Sequence, residues 1–291
     1  MQATNIDQTA IDRANADFWN ELCGTHLARH VDLRDRSPES LRRFDDAYLR
    51  MYPYLLPIVR PERMAGKRVL EIGLGYGTVG QKLAEAGADY QGLDISPGPV
   101  EMMNHRLRQA KGNGQAVRGS ALAMPFAADA FDFVVSIGCL HHTGDVVRAF
   151  AEVHRVLKPG GTAVLMLYNQ FSYRQWLSAP RQTLQACFAR TDLTARPERI
   201  AQERRKLLDF DTSGHGAPET VLLSVGRLRT LLGSFESLSF AKHTGRPMTQ
   251  RWSNPKSWVR PVLLRTVGRA LGLDIYVTAR KPLCGGARRV A

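Results

Sequence analysis

The feature that most constrains this chain is a strand–turn–helix rhythm repeated over residues 67–168, opened by a glycine-rich turn. KRVLEIG reads as a short buried strand, and GTVGQKLAEAG as the helix that follows it. DYQGLDI is a second strand, PGPVEMMNHRLRQA a second helix, and QAVRGS a short third strand. FDFVVSIG, then DVVRAFAEVHRVL, then TAVLMLY give strand, helix and strand again, with Lys158-Pro159-Gly160-Gly161 as a breaker before the last. Strands alternating with helices of this length imply parallel units in a doubly wound α/β sheet, because a right-handed crossover needs a helix to return the chain. Residues 1–66 read as a helical N-terminal cap, with Ser37-Pro38-Glu39 as a helix start. Residues 170–217 form an Arg-rich, partly helical insert after the fifth strand. Residues 218–291 complete the sheet: a helix over 216–233, strands over 235–244 and 273–281, and one helix expected between Pro247 and Gly272.

Ligands of open α/β sheets bind outside the carboxyl ends of the strands, and the first such end carries Glu71-Ile72-Gly73-Leu74-Gly75-Tyr76-Gly77. Glycines there permit a tight turn and let a ligand approach the backbone. Asp94 ends the second strand, where a carboxylate accepts from both hydroxyls of a ribose. A dinucleotide fingerprint requires Gly or Ala at position 78, where Thr78 stands. The spacing is instead G-x-G-x-G with an acid, Glu71, before it. That acid sits poorly beside a pyrophosphate and suits a ligand ending in an ammonium group, as methionine does.

With these residues in view, the sequence resembles the class I S-adenosylmethionine-dependent methyltransferases, in particular the small-molecule group with a quinone-methyltransferase-like domain. VLEIGLGYGT is similar to the first family motif and YQGLDIS to the second. GSALAMPFAADAFDFVVSIGCLHHT is similar to the third and fourth together, and RVLKPGGTAVLMLYN to the strand-five motif. The resemblance covers residues 66–170 closely and the rest up to Arg280 loosely. It implies a Rossmann-like, mostly parallel seven-stranded sheet of order 3-2-1-4-5-7-6, and S-adenosylmethionine held by Glu71, Gly73, Gly75, Tyr76, Gly77, Asp94, Ile95, Ser120, Ala121 and Ile137. It departs from the family at strand three, where Ser120 and Ala121 replace the usual acid that reads the adenine amino group.

Methyl transfer from a sulfonium needs nucleophile, methyl and sulfur held in line, and a base only where the nucleophile must lose a proton. His141 is the first candidate for that base and His142 the second, since imidazole titrates near neutrality. Tyr168, at the end of strand five, is a candidate to orient the acceptor. The alternative for all three is plain packing. The stretch Phe18 to Thr25 is expected to line the opening, and His215 stands in a loop placed to fold over it. His26 and His30 stand four apart, but no third ligand accompanies them, so no metal is expected.

The net charge of +13 is uneven: residues 169–291 hold 21 basic and 8 acidic groups, while the segments before are near neutral. That excludes a chain basic throughout and turns the charge into a question about the acceptor or a docking surface. A small acceptor, with an anionic one suited to the arginines, is the leading reading. Peripheral membrane or carrier-protein contact through an amphipathic helix over Trp258 to Arg269 is a second. Nucleic acid is disfavoured, because Asp192, Glu198, Glu203, Asp209 and Asp211 dilute any phosphate track. An RNA- or carrier-directed methyltransferase and a non-catalytic nucleotide-binding protein stand as alternatives to the small-molecule enzyme. Four cysteines without a CxxC pair, no apolar leader and no membrane-length apolar run point to a cytoplasmic setting.

Overall fold

Strand β1, Arg68–Ile72, is buried at every position but the first, and its alternating side chains serve two different layers. Leu70 and Ile72 pack with Val153 and Leu228 on one face of the sheet. Val69 packs with Leu55, Leu83 and Met103 on the other. A sheet covered on both faces needs strands that are apolar throughout, which is how the 67–168 segment reads. The computed structural model describes residues 7–22, 25–110, 114–188, 197, 199–244 and 267–283.

Strands β2 (Asp89–Asp94), β3 (Gly114–Arg118), β4 (Phe131–Ile137) and β5 (Leu157–Tyr168) join β1 in parallel. Strands β6 (Ser237–His243) and β7 (Asp274–Arg280) complete the sheet in the order 3-2-1-4-5-7-6, with β7 antiparallel to both its neighbours, β5 and β6. Helices α1 (Gln8–Trp19), α2 (Thr25–His30), α3 (Pro38–Met51) and α4 (Leu55–Val59) form the N-terminal cap. Ser37 caps α3 by accepting from the Ser40 amide, with Pro38 at the first helical position. Helices α5 (Thr78–Glu85), α6 (Pro97–Ala110) and α7 (Val146–Val156) are the crossovers. The insert carries α8 (Tyr173–Ser178), α9 (Pro180–Phe188) and α10 (Gln202–Lys206). Helix α11 (Val225–Leu231) precedes β6, and α12 (Val267–Leu271) precedes β7.

The cap is pinned to the sheet by a buried cluster. Asp45 of α3 accepts both terminal nitrogens of Arg106 on α6, at 2.9 Å each, and the Thr78 hydroxyl at 2.7 Å. The residue that breaks the dinucleotide fingerprint thus opens α5 and ties it to the cap.

Two expectations are corrected. Lys158-Pro159-Gly160-Gly161 does not interrupt the fifth strand: α7 ends at Val156, Leu157 pairs with Phe131, and the ladder resumes at Thr162 after a register shift. The proline and glycines are the irregularity within a strand rather than a loop before it. The helix expected over 216–233 forms only at Val225–Leu231. Ser224 caps it by accepting from the Arg227 amide, and the apolar run before it is extended. That run finds better partners outside a helix: the Val221 amide donates to the His141 carbonyl and the Leu223 amide to that of Tyr168. The amphipathic helix over Trp258 to Arg269 lies outside the described residues apart from the short α12. Among the described residues no helix is long and apolar enough to cross a membrane.

Candidate active site

A cleft opens over the carboxyl ends of β1, β2 and β4. Its floor is the glycine turn, where Gly73 has φ +82° and a Cβ placed on it would lie 2.4 Å from that of Cys139. Only glycine closes this turn against the neighbouring strand end. Gly75 and the ring of Tyr76 also line the cleft, with Tyr76 stacked on Phe44 of α3 at 4.4 Å. Gly77 does not line it: its open side is filled by Arg106 and Met103 of α6, so its role is close packing.

Three carboxylates line the cleft, Asp12 of α1, Asp94 and Glu71, and Asp12 accepts from the Gln8 side chain at 2.7 Å. Asp94 accepts the Leu74 amide on one oxygen at 2.8 Å and the Ser96 amide on the other at 2.9 Å. The first bond locks the glycine turn to the end of β2. Burial raises the Asp94 carboxyl, and these backbone donors oppose the rise. Glu71 is 3% exposed and accepts the Tyr90 hydroxyl at 2.6 Å. Burial pushes it up to about 8, with the tyrosine hydrogen bond acting against the rise. A buried carboxyl whose charged form is disfavoured by burial gains most from an ammonium group brought beside it. Ile95, Ser120, Ala121 and Ile137 complete the cleft, an apolar slot with one hydroxyl. The Ser120 hydroxyl accepts the Leu122 amide at 3.3 Å.

This donor set fits S-adenosylmethionine: a carboxylate for the ammonium, a second for two ribose hydroxyls, and apolar walls for the purine. The state of Glu71 gives a prediction. Its folded value lies above the unfolded one, so its contribution to ligand-free stability is present below about 4.5 and is lost as pH rises toward about 8. The variant Glu71→Gln should lack that decline. Chemical denaturation of both proteins from pH 5 to pH 8 is expected to show the wild type losing stability relative to the variant.

The two histidines occupy a 3-10 turn, Leu140–His142, after β4. Only the second of them, His142, lines the cleft. His141 is 1% exposed and lies outside the cleft lining, packed on the Tyr168 ring at 4.1 Å. Burial, then the neighbouring His142, holds its pKa well below the usual value. His142 lines the cleft, held by the Asn15 side chain donating to its carbonyl at 2.8 Å and by the Trp19 ring at 4.8 Å. Its Nδ1 lies 2.7 Å from the Glu219 carbonyl, and its Nε2 lies 3.7 Å from Asp209 Oδ2.

A second cavity, of about 700 Å³, adjoins the first and shares Trp19, Tyr48, Ile137 and Gly138 with it. Tyr168 belongs to this cavity and donates its hydroxyl to Asp209 Oδ1 at 3.0 Å. Of the stretch expected at the opening, Phe18, Trp19, Glu21, Leu22 and Thr25 line it, while Cys23 and Gly24 lie outside the described residues. His26 and His30 also line it, with His26 against Phe210 at 4.7 Å. Among the described residues no three His, Cys, Asp or Glu side chains are placed to hold a metal. His215 lines neither cavity; its amide and ring bind Asp211. Asp209, Tyr48 and Phe44 carry much of the site and stand in no motif; Asp209 reads in sequence only as one acid among several in the insert.

Residues 70–165 match the family described as "Methyltransferase domain". An uncharacterized methyltransferase of Mycobacterium marinum is 38% identical over 118 residues, covering 40% of this chain and 43% of that protein. A demethylmenaquinone methyltransferase of Renibacterium salmoninarum is 36% identical over 104 residues, covering 36% and 42%. The chain thus matches less than half the length of these curated relatives. The YcgJ protein of Bacillus subtilis, a solved structure, aligns over 79% of this chain and 99% of its own with a TM-score of 0.54 at 16% identity, a likeness of fold.

Proposed function

We propose that the chain, whose residues 70–165 match a methyltransferase domain and whose sheet has the order 3-2-1-4-5-7-6, is a class I S-adenosylmethionine-dependent methyltransferase that transfers a methyl group to a small molecule held in the second cavity. The observation that carries this reading is that the two cavities share the lining residues Trp19, Tyr48, Ile137 and Gly138. A donor in the first and an acceptor in the second meet at that boundary. S-adenosylmethionine, bound by Glu71, Asp94 and the glycine turn, supplies an activated methyl carbon. The protein's part is to orient: Asp94 fixes the turn through the Leu74 amide, and Trp19 and Tyr48 close both compartments from the cap.

The demethylmenaquinone methyltransferase among the relatives supports a small acceptor with a substantial apolar body. The described lining of the second cavity supports an uncharged acceptor over an anionic one. It holds the carboxylates of Glu21, Asp209, Asp211 and Asp274 against a single guanidinium, Arg174, which donates to the Leu207 carbonyl. Among the described residues, the basic side chains of the C-terminal half other than Arg174 stand outside that lining. Calorimetry with S-adenosylmethionine and S-adenosylhomocysteine on the full chain tests the donor half of the reading, and absence of heat with both would overturn it. Transfer of a labelled methyl group to any of a panel of small acceptors tests the other half.

A further inference from the structure

We propose that the acceptor is a phenol-type hydroxyl compound and that Asp209, together with His142, receives its proton; this rests on the methyl-transfer reading above. The pair stands at the junction of the two cavities, His142 in the lining of the first and Asp209 in that of the second. A carbonyl can only accept, so the 2.7 Å contact with Glu219 places the proton of a neutral His142 on Nδ1 and leaves a lone pair on Nε2. Tyr168 donates to Asp209 Oδ1, which leaves Oδ2. Nε2 and Oδ2 are both buried, 3.7 Å apart, and neither makes a hydrogen bond with any described residue. Two buried acceptors facing one another are costly until a donor reaches them.

The other acids of the second cavity are engaged. Glu21 accepts the Thr212 amide and hydroxyl, Asp211 the His215 amide, and Asp274 the Tyr54 hydroxyl. Free accepting capacity is therefore concentrated at Asp209 and His142. A hydroxyl group supplies the missing donor, and the aromatic walls at Trp19, Tyr48, Tyr52, Phe210 and Tyr276 suit a flat, apolar body behind it. An amine enters the reaction with its lone pair already available, whereas a phenol becomes a strong nucleophile only as its proton leaves. A buried base pair beside the methyl-donor cleft answers that need.

In the step itself, the acceptor oxygen releases its proton to the Asp209–His142 pair and uses the freed electron pair to bond the methyl carbon. The carbon–sulfur bond breaks, its electrons remain on sulfur, and the sulfonium becomes a neutral thioether. The groups packed about the pair are His141 and Tyr168; the Thr220 hydroxyl lies 3.2 Å from Nδ1 and itself donates to the Glu219 carbonyl, and the Glu219 side chain pairs with Arg199 and Arg205. Burial lowers His142 to about 4 against the pull of Asp209, so Nε2 keeps its lone pair at neutral pH.

The test uses three probes of one shape, 2-naphthol, 2-methoxynaphthalene and 2-naphthylamine, titrated into the full chain with S-adenosylhomocysteine present. Wild type is expected to bind the naphthol about tenfold tighter than the methyl ether, which has no proton to donate, and more tightly than the amine, whose N–H is a weaker donor than a phenol O–H. Asp209→Asn and His142→Gln, each checked for an unchanged melting temperature, should bring the three affinities within about threefold, a difference of well under 1 kcal/mol. Equal affinities in wild type, preference for the amine, or no saturable naphthol binding would overturn the proposal. Binding of S-adenosylhomocysteine in the same samples separates this failure from failure of the methyltransferase reading.

Discussion

Asp94→Ala is expected to weaken S-adenosylmethionine binding by more than about 100-fold while leaving the protein folded. Hydrogen bonds to a charged group are each worth about 1.5–3 kcal/mol, so two ribose hydroxyls on one carboxylate carry roughly 3–6 kcal/mol. The substitution also removes the acceptor for the Leu74 amide, which holds the glycine turn against β2. The turn retains other support, since the Gly73 amide donates to the Leu93 carbonyl and the Gly77 amide to that of Leu74. Loss of affinity should therefore exceed loss of stability. Asp94→Asn keeps one oxygen acceptor and should fall between the two. Calorimetry on the three proteins reads the series directly; an alanine variant within threefold of wild type would show that this carboxylate does not hold the cofactor.

The legible part of this protein was the part governed by local rules. Alternating apolar runs with glycine and proline punctuation specify strands β1 to β5 and their crossovers, because burial on both faces leaves the sequence little freedom. The carboxylates Glu71 and Asp94 were visible for the same reason: each stands at a fixed offset from a strand end. The extended segment before α11 was misread because its partners are the carbonyls of His141 and Tyr168, distant in sequence, and helical propensity does not register them. Asp209 reads in the sequence only as one acid of the insert, on the same ground. It sits in an irregular insert, and only the folded chain brings it to 3.7 Å from His142. His141 and His142 are adjacent on a tight turn and face different sides, His142 the cleft and His141 the Tyr168 ring. Sequence order does not say which one meets the cleft.

The largest loss of stability is expected from Asp45→Ala, a position on α3 whose side chain bonds Thr78 and Arg106 of the crossover helices. Asp45 is 5% exposed and Arg106 2%, and the two form a bidentate ion pair further bonded by Thr78. Removing one member of such a pair leaves the other charge buried without compensation, at a cost of about 3–5 kcal/mol. At about 2–4 °C per kcal/mol for a chain of this size class, the melting temperature should fall by roughly 10 °C. The double variant Asp45→Ala with Arg106→Met removes both charges and should recover a good part of that loss. A double variant as unstable as the single one would mean that packing rather than charge dominates the cluster. The consequence reaches the active site, because α3 also carries Phe44, stacked on Tyr76 of the glycine turn, and Tyr48, which lines both cavities. Loosening α3 from α6 should weaken S-adenosylmethionine binding as well, by less than the loss at Asp94. The double variant should regain affinity in step with stability if the pair acts by seating the cap, and calorimetry beside thermal unfolding measures both.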